Sequence, residues 1–446
     1  MKKNLTFKEL IFVASMLFGM FFGAGNLIFP IFMGQLAGHH VWAASAGFLI
    51  TGVGLPLLGV AALGVSQKDG LLELSSQIGR KYGVFFTCLL YLTIGPFFAI
   101  PRCATVSFTV GIEPFISDGG KMAGLGIFSF VFFAVVLFFS LKPGQILTWI
   151  GKILNPLFLI LLSIFVIRAL FSPAGNMSKI EASGAYVSGA FSTGLLEGYN
   201  TMDALAGLAF GIIVVNVIRS LDIKESGAVA KNTIKAGVFS SLLMALIYVL
   251  VAVVGAQSRG VFPVAANGGE TFAIVSEYYF GKPGQIILAL IFAVACLKTA
   301  IGLVTSCGET FEKIFPNGPS YRVWAVIFSL LSFLIANVGL DAIIAYSLPV
   351  LMFLYPLAVT LILLTLCGKL FGNDRRIYSW VTAFTAILDF VKALPKNSDV
   401  IVKLQEMLGA VSKMLPISKY GFGWVCPALV GLMIGLALQK IRKNKR

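Results

Sequence analysis

Long apolar runs alternate with short polar connections along the whole chain. Because about 20 apolar residues in a helix cross the hydrocarbon core of a bilayer, each run is typical of a transmembrane helix. The pattern therefore predicts an all-α membrane protein with twelve transmembrane helices. We predict these spans at residues 8–36, 42–66, 81–111, 124–141, 146–171, 186–218, 234–257, 283–308, 321–337, 340–368, 376–393 and 420–439.

Composition agrees with a bilayer as the solvent of this chain. Hydrophobic residues make up 58% of the sequence and charged residues only 12%, and the mean hydropathy is +0.93. The first apolar run follows N-terminal lysines, as a secretory signal does, but it continues from Ile11 to about Leu36 without a small-residue cleavage site. We therefore expect it to be retained as the first span.

Lysine and arginine are unevenly divided between the two sides of the predicted membrane. With both termini cytoplasmic, the inner connections and termini carry 22 of them and the outer connections carry 9. Positive charge is typical of cytoplasmic loops, so we expect a multi-pass protein of the plasma membrane with both termini inside. The net charge of +15 then indicates anionic lipid headgroups rather than nucleic acid as the partner. The segment from residue 392 to 416 is lysine-bearing and predicts an amphipathic surface helix in an outer connection.

The sequence does not favour an enzyme, a metal centre or an ion channel. His39 and His40 fall in a short connection, and no nucleophile–base pair, ligand cluster or repeated filter sequence is evident. We expect no resident cofactor and no obligatory protein partner. The cysteines nearly all lie inside apolar runs, where we expect small hydrophobic side chains rather than disulfides: Cys88, Cys103, Cys296, Cys307, Cys367 and Cys426.

The stretch FFGAGNLIFP (residues 21–30) interrupts the first apolar run with two glycines and an asparagine. Glycine is unfavourable inside a helix, and an amide in hydrocarbon needs a partner. A broken helix at membrane depth exposes amides and carbonyls, and such a break is tolerated where it faces a protein-lined cavity. Alternatively, Gly23 and Gly25 only allow neighbouring helices to approach closely.

A second polar interruption, EGYNTMDALAG (residues 197–207), lies in the sixth predicted span. Its offset of five spans from the first break favours two inverted five-helix repeats, because a unit with an odd number of spans ends on the opposite side of the membrane. We assign residues 1–171 to the first repeat, 172–372 to the second and 373–446 to two additional helices.

Three motifs resemble those of the branched-chain amino acid transporter family of the BrnQ or LIVCS type: FGMFFGAGNLIFP (residues 18–30), GYNTMDALAGLAFG (198–211) and ACLKTAIGL (295–303). The resemblance covers essentially the whole chain. It implies the leucine-transporter fold, with helices one and six broken, and cotransport of leucine, isoleucine or valine with a cation, classically sodium. A transporter of the same fold for another small solute is the alternative.

The resemblance also implies a substrate site at the two breaks. The amides of Ala24 and Gly25 would bind the substrate carboxylate, and the carbonyls of Phe21 and of Tyr199 or Asn200 would bind its ammonium. Asp203 would either cap the second break or contribute to binding. The remaining candidates are apolar or polar neighbours of these groups, namely Asn26, Phe98, Thr201, Met202 and Phe210. Arg102 and Glu113 could pair near the outer end of span three, and neither is assigned a role in transport.

Cation-coupled relatives of that fold imply a sodium site between spans one and eight. Possible sodium ligands are the carbonyls of Gly19, Phe22 and Ala295 and the hydroxyl of Thr299. Lys298 stands where a second hydroxyl would be, which leaves two alternatives open. Either its ammonium replaces the ion, and transport is sodium-independent or proton-linked, or Lys298 turns elsewhere and sodium still binds.

Overall fold

The computed structural model describes residues 2–393, 399–415, 418 and 422–444, and the regular structure within them is helical. Ordinary α-helices are joined by short 3-10 and π-helical segments. We label the α-helices in chain order: α1 Phe7–Phe21, α2 Ala24–Ala37, α3 Val41–Leu49, α4 Leu55–Ser66, α5 Leu71–Ser75, α6 Arg80–Leu92, α7 Ala99–Gly111, α8 Lys121–Ser140, α9 Asn155–Phe171, α10 Tyr186–Glu197, α11 Asp203–Ala209, α12 Gly211–Ser220, α13 Ser226–Ser258, α14 Gly268–Phe280, α15 Lys282–Ile314, α16 Tyr321–Ala336, α17 Leu340–Cys367, α18 Arg375–Ala393, α19 Asp399–Met414 and α20 Val425–Asn444.

The helices identify a multi-pass membrane protein. Within the described residues, eight helical segments are long and apolar enough to cross a bilayer, and the bent pair α11 and α12 makes a ninth. A helix overlaps each of the twelve predicted spans, but the count of twelve and the division into inverted repeats remain predictions. Helices α14 and α19 lie in predicted connections, and α19 falls where the amphipathic helix was predicted, although residues 394–398 and 416–417 lie outside the described residues.

The first predicted break separates α1 from α2. A capping box formed by Thr6 and Glu9 begins α1, and the helix ends where Phe22 adopts φ −80° and ψ 86°. Gly23 is extended, and its amide donates to Oδ1 of Asn26 at 3.0 Å. The asparagine therefore satisfies one of the amides that the interruption exposes.

The second predicted break separates α10 from α11. A short 3-10 segment over Gly198–Thr201 follows α10. Met202 then adopts the left-handed conformation with φ 64°, which is uncommon for a side chain of this kind. Helices α11 and α12 are bent by a further 42° against each other. The sixth span is thus interrupted at its most polar stretch.

A third interruption, which we did not predict, lies between α6 and α7. Gly95 has the non-helical angles φ −90° and ψ −123°, and Pro96 follows it inside a π-helical segment. Proline lacks an amide hydrogen and its ring clashes with the preceding turn, so it bends or breaks a helix. The bend begins α7 at Ala99 and thereby sets the position of Arg102 one turn later.

Close packing of α2 against α13 brings a third helix to the first break. A Cβ atom added to Gly34 would lie 1.9 Å from the carbonyl oxygen of Ala252, and one added to Gly255 would lie 1.9 Å from that of Ile31. Small residues at a helix interface let two backbones approach within a membrane. The packing places Tyr248 of α13 beside the broken first span.

Candidate functional site

The two predicted breaks meet at one buried cavity. The cavity has a volume of about 40 Å³ and is lined by both sides of the first break, by α11, and by parts of α7 and α15. Most of the predicted substrate residues line it: Phe21, Ala24, Gly25, Asn26, Thr201, Met202, Asp203 and Phe210. Phe98, Tyr199 and Asn200 are not among the residues that line it.

A polar triad links the two breaks. The side-chain amide of Asn26 donates to Oδ2 of Asp203 at 2.5 Å and also to the hydroxyl of Tyr248. That hydroxyl in turn donates to Oδ2 of Asp203 at 2.8 Å. All three residues are buried. Because a buried carboxylate is costly unless it is hydrogen-bonded, the triad both stabilises Asp203 and fixes the first break against the second.

The hydrogen bonds of the Asp203 carboxylate differ from those of a helix-capping residue. The hydrogen bonds described for its carboxylate come from side chains and go to Oδ2, whereas a cap would accept amides at the start of α11. Its own amide donates to the hydroxyl of Thr201 at 3.4 Å. Asp203 lines the cavity, so its carboxylate is a suitable partner for a ligand ammonium.

The rest of the cavity wall is mostly apolar. The rings of Phe21 and Phe210 meet edge to face across the two breaks, with centroids 5.6 Å apart. Met20, Ile94 and Leu303 continue this surface. A mostly apolar wall with a few convergent polar groups is typical of a small-molecule site.

The predicted residues outside the cavity have protein partners of their own. Tyr199 packs edge to face on Tyr355 with centroids 4.6 Å apart, and the side chain of Asn200 donates to Glu197 at 2.9 Å. Phe98 ends the bend of span three and lies against Phe97. These side chains support the shape of the site without lining it.

The predicted cation residues divide between two faces of α15. Thr299 faces the first break, because a Cβ atom added to Gly23 would lie 3.0 Å from its hydroxyl oxygen. That hydroxyl is buried and has no hydrogen-bond partner among the residues that the structure describes. Lys298 is fully buried and does not line the cavity. Ala295, one turn before, is also fully buried.

The ammonium of Lys298 lies in an aromatic pocket between α1 and α9. It donates to Oδ1 of Asn155 at 3.2 Å and lies 3.7 Å from the ring centroid of Phe158. The ring centroids of Phe18 and Phe22 are 5.1 and 5.8 Å away. No hydrogen bond joins the ammonium to the carbonyl of Gly19 or Phe22 within the described residues. Asn155 itself packs against Gly19, where an added Cβ would lie 3.3 Å from the asparagine Cβ.

Three residues of this region were not predicted to belong to the site, namely Arg102, Tyr248 and Asn155. Arg102 lines the cavity, and Glu113 pairs with Lys121 at 3.2 Å instead of with Arg102. An arginine inside an apolar run is costly, and that signal could have identified it. Tyr248 and Asn155 gave no such signal, since each acquires its role only from contacts with a distant helix.

Comparison with known proteins gives a consistent result. The family described as "Branched-chain amino acid transport protein" matches residues 6–442. The chain is 52% identical to the branched-chain amino acid permease BrnQ of Lactobacillus delbrueckii subsp. lactis over 100% of both chains. It is 41% identical to BrnQ of Bacillus subtilis over 99% of both, and 39% identical to a branched-chain amino acid transport system 2 carrier protein of Pseudomonas aeruginosa over 98% of both.

Solved structures show a similar fold at low sequence identity. The nucleobase-cation-symport-1 family transporter Mhp1, in a closed conformation with bromovinylhydantoin bound, superposes with a TM-score of 0.60 at 14% identity and covers 98% of this chain and 93% of its own. Its inward-facing conformation gives a TM-score of 0.57 at 13% identity, with 97% and 90% covered. The likeness concerns the fold alone.

Proposed function

Because the chain belongs to the branched-chain amino acid transport protein family, we propose that it takes up leucine, isoleucine and valine by secondary active symport with a cation. Its relatives are permeases, so the protein is a transport protein and not an enzyme. No nucleotide-binding loop supports ATP-driven transport, because glycine patterns such as GVGLPLLG (residues 52–59) are too loose for phosphate loops and lie in apolar helix. An ion gradient is therefore the proposed energy source.

The observation that carries this proposal is the meeting of two broken helices in one apolar cavity. The amino end of α2 presents the amides of Ala24 and Gly25 and a positive dipole, which suit a carboxylate. The carbonyl of Phe21, at the carboxyl end of α1, accepts the amide of Gly23 at 2.9 Å and has a second lone pair for an ammonium. Asp203 lines the same cavity, so its carboxylate suits an ammonium as well. The aliphatic side chain would pack against Phe210 and Met202.

Competition for uptake tests the substrate class. Proteoliposomes containing the purified protein are expected to accumulate radiolabelled leucine saturably, with isoleucine and valine competing at similar concentrations. One methylene in an apolar pocket changes binding by only about 1–3 kcal/mol, so the three substrates are poorly distinguished. Lysine or glutamate uptake stronger than leucine uptake would indicate a transporter of the same fold for another solute.

The surroundings of Lys298 support a proposal for the coupling ion. Its ammonium lies in the aromatic pocket between α1 and α9, beside the ring of Phe22 and beside Asn155, which packs against Gly19; Gly19 and Phe22 are two of the predicted sodium ligands. One amide oxygen and aromatic rings already stabilise it. The groups described around it from α1 and α9 are three phenylalanines and Asn155, and none is acidic. We propose that this ammonium replaces sodium and that Lys298 exchanges the proton that serves as the coupling ion.

We propose the membrane topology and orientation that the sequence predicts. Both termini lie in the cytoplasm, and residues 1–171 and 172–372 form two inverted five-helix repeats followed by two additional helices. Reporter tags at the two ends of the chain test this arrangement, and both are expected to be protected from reagents outside intact cells. Tags on opposite faces of the membrane would contradict an even number of spans.

A further inference from the structure

Arg102 brings a positive charge to the cavity at the point where the carboxylate is expected. A Cβ atom added to Gly25 would lie 2.8 Å from Nη2 of Arg102, so the absence of a side chain at residue 25 makes room for the guanidinium. The guanidinium carbon also lies 5.9 Å from the ring centroid of Phe29, one turn along α2. Arg102 is thus held against the first turn of α2.

Within the described residues, Arg102 is not in a salt bridge with any carboxylate. The salt bridges described there include those of Lys2 with Glu9, Lys121 with Glu113, and Arg219 with Asp69. Asp203 lines the same cavity, but the hydrogen bonds described for its carboxylate come from Asn26 and Tyr248. An unpaired guanidinium inside a membrane-spanning segment is costly, and such residues commonly mark a substrate path.

The cavity therefore presents the cation of Arg102 and the anion of Asp203 to a bound molecule. A free amino acid is a zwitterion whose two charged groups are separated by a single carbon atom. Arg102 and the amides of α2 lie on one side of the first break, and Asp203 lies beside the second. The arrangement of charges complements a zwitterion and disfavours an amine or a carboxylic acid alone.

We propose that Arg102 is a specificity-determining residue that binds the carboxylate of the transported amino acid together with the amides of Ala24 and Gly25. This proposal rests on the proposed function, because it requires an amino acid in the cavity. A planar guanidinium can donate two parallel hydrogen bonds to a carboxylate, which lysine cannot do. The bent start of α7 then serves to aim this side chain at α2.

A pair of ligands that differ only at the carboxylate tests the proposal. Leucine and leucinamide binding are measured by isothermal titration to purified wild type and to Arg102→Gln, Arg102→Lys and Arg168→Gln. Arg168 bonds to Ser172 near the end of α9 and serves as the matched arginine control. Arg102→Gln is expected to weaken leucine binding about 10- to 150-fold, the range for a hydrogen bond to a charged group, and to change leucinamide binding less than about threefold.

The binding results distinguish a failure of this proposal from a failure of the proposed function. Arg102→Lys keeps the charge and is expected to lose less leucine affinity than Arg102→Gln, and it serves as the test should the glutamine variant not fold. If Arg102 variants weaken leucine and leucinamide equally while wild type binds leucine, Arg102 has only a structural role and the proposal is wrong, but the proposed function stands. If wild type does not bind leucine, both fail.

Discussion

Arg102 and Lys298 are two cations inside the apolar body of the protein, and their surroundings differ. Arg102 lines the cavity beside Gly25 and has no ion pair within the described residues. Lys298 lies outside the cavity lining, with Asn155 and three phenylalanine rings around its ammonium. The protein therefore satisfies one cation itself and leaves the other open to a ligand.

This difference suggests a division of roles. A cation without a protein partner can bind and release a carboxylate in each transport cycle, whereas an ammonium held by protein groups can take the place of a bound metal ion and exchange a proton. Cation–π contacts and a hydrogen bond offset part of the cost of burying Lys298. The contrast predicts that changes near Arg102 alter substrate affinity and that changes near Lys298 alter coupling.

The largest effect is expected from a side chain placed between Arg102 and α2. Gly25→Leu fills the space of the guanidinium and of the proposed carboxylate, so leucine affinity is expected to fall at least about 100-fold, as for the loss of two hydrogen bonds to a charged group. The matched control is Gly144→Leu, because a Cβ atom at Gly144 meets nothing within 4 Å. Normal leucine affinity in a folded Gly25→Leu protein would show that this glycine serves only packing.

A smaller effect is expected from removing the anion of the cavity. Asp203→Asn keeps the size of the side chain but loses the charge proposed for the substrate ammonium, so leucine affinity should fall about 10- to 150-fold. Glu277→Gln, on the exposed face of α14, is the control. Leucinol, which keeps the ammonium, should lose affinity by the same factor, and an unchanged leucinol affinity would remove Asp203 from ammonium binding.

The partner of Lys298 should affect stability rather than substrate affinity. Asn155→Leu removes the oxygen acceptor of the ammonium and is expected to cost about 1–3 kcal/mol of unfolding free energy. The same change should cost less in a Lys298→Met background, and the difference between the two costs measures the contact. Equal costs in both backgrounds, or a large fall in leucine affinity, would contradict the proposed division.

The smallest effect is expected from an ion pair outside the membrane. Arg219 donates to both carboxylate oxygens of Asp69, at 2.9 and 2.7 Å, and this hydrogen bonding holds the pKa of the Asp69 carboxyl below its usual value of 3.8. A partly exposed pair contributes only about 0.2–1 kcal/mol. Thermal unfolding of Asp69→Asn should show this loss at pH 7.

The pH dependence of that pair has a definite sign. Because the folded pKa of Asp69 is lowered, its stabilisation is complete above about pH 5 and decreases as the pH falls through the folded pKa. The difference in unfolding temperature between wild type and Asp69→Asn should therefore decrease as the pH falls below 3.8, the usual pKa of the carboxyl. A difference that does not change over this pH range would indicate that Asp69 acts through packing and not through its charge.

The breaks of spans one and six could be predicted because they violate a local rule. Glycines and an asparagine at residues 23–26, and two acids near residue 200, are out of place in hydrocarbon whatever the fold. The bend at Pro96 carried a similar signal, a proline inside an apolar run, and was overlooked. Arg102 was recognised as an unusual residue but was paired with Glu113, since neither the bend nor the distance to Gly25 can be read from spacing.

Other features of the site depend on contacts between distant helices. Tyr248 looks like an ordinary membrane tyrosine until α13 packs on α2, and only then does its hydroxyl reach Asn26 and Asp203. Asn155 gains its role in the same way from Lys298. Tyr199 and Asn200 lie in the predicted break, yet their side chains turn to Tyr355 and Glu197. Orientation within a break was not predictable from its sequence.

The most direct test of the central claim is leucine uptake into proteoliposomes with the membrane potential clamped and the sodium and pH gradients imposed separately. Wild type is expected to take up leucine in response to an inward proton gradient and to be little affected by sodium. Lys298→Thr and Lys298→Ala are expected to lose the pH dependence while Arg102 still supports leucine binding. Uptake by wild type that rises steeply with sodium at constant potential and pH, together with the same dependence in Lys298→Ala, would contradict the claim that Lys298 replaces the ion.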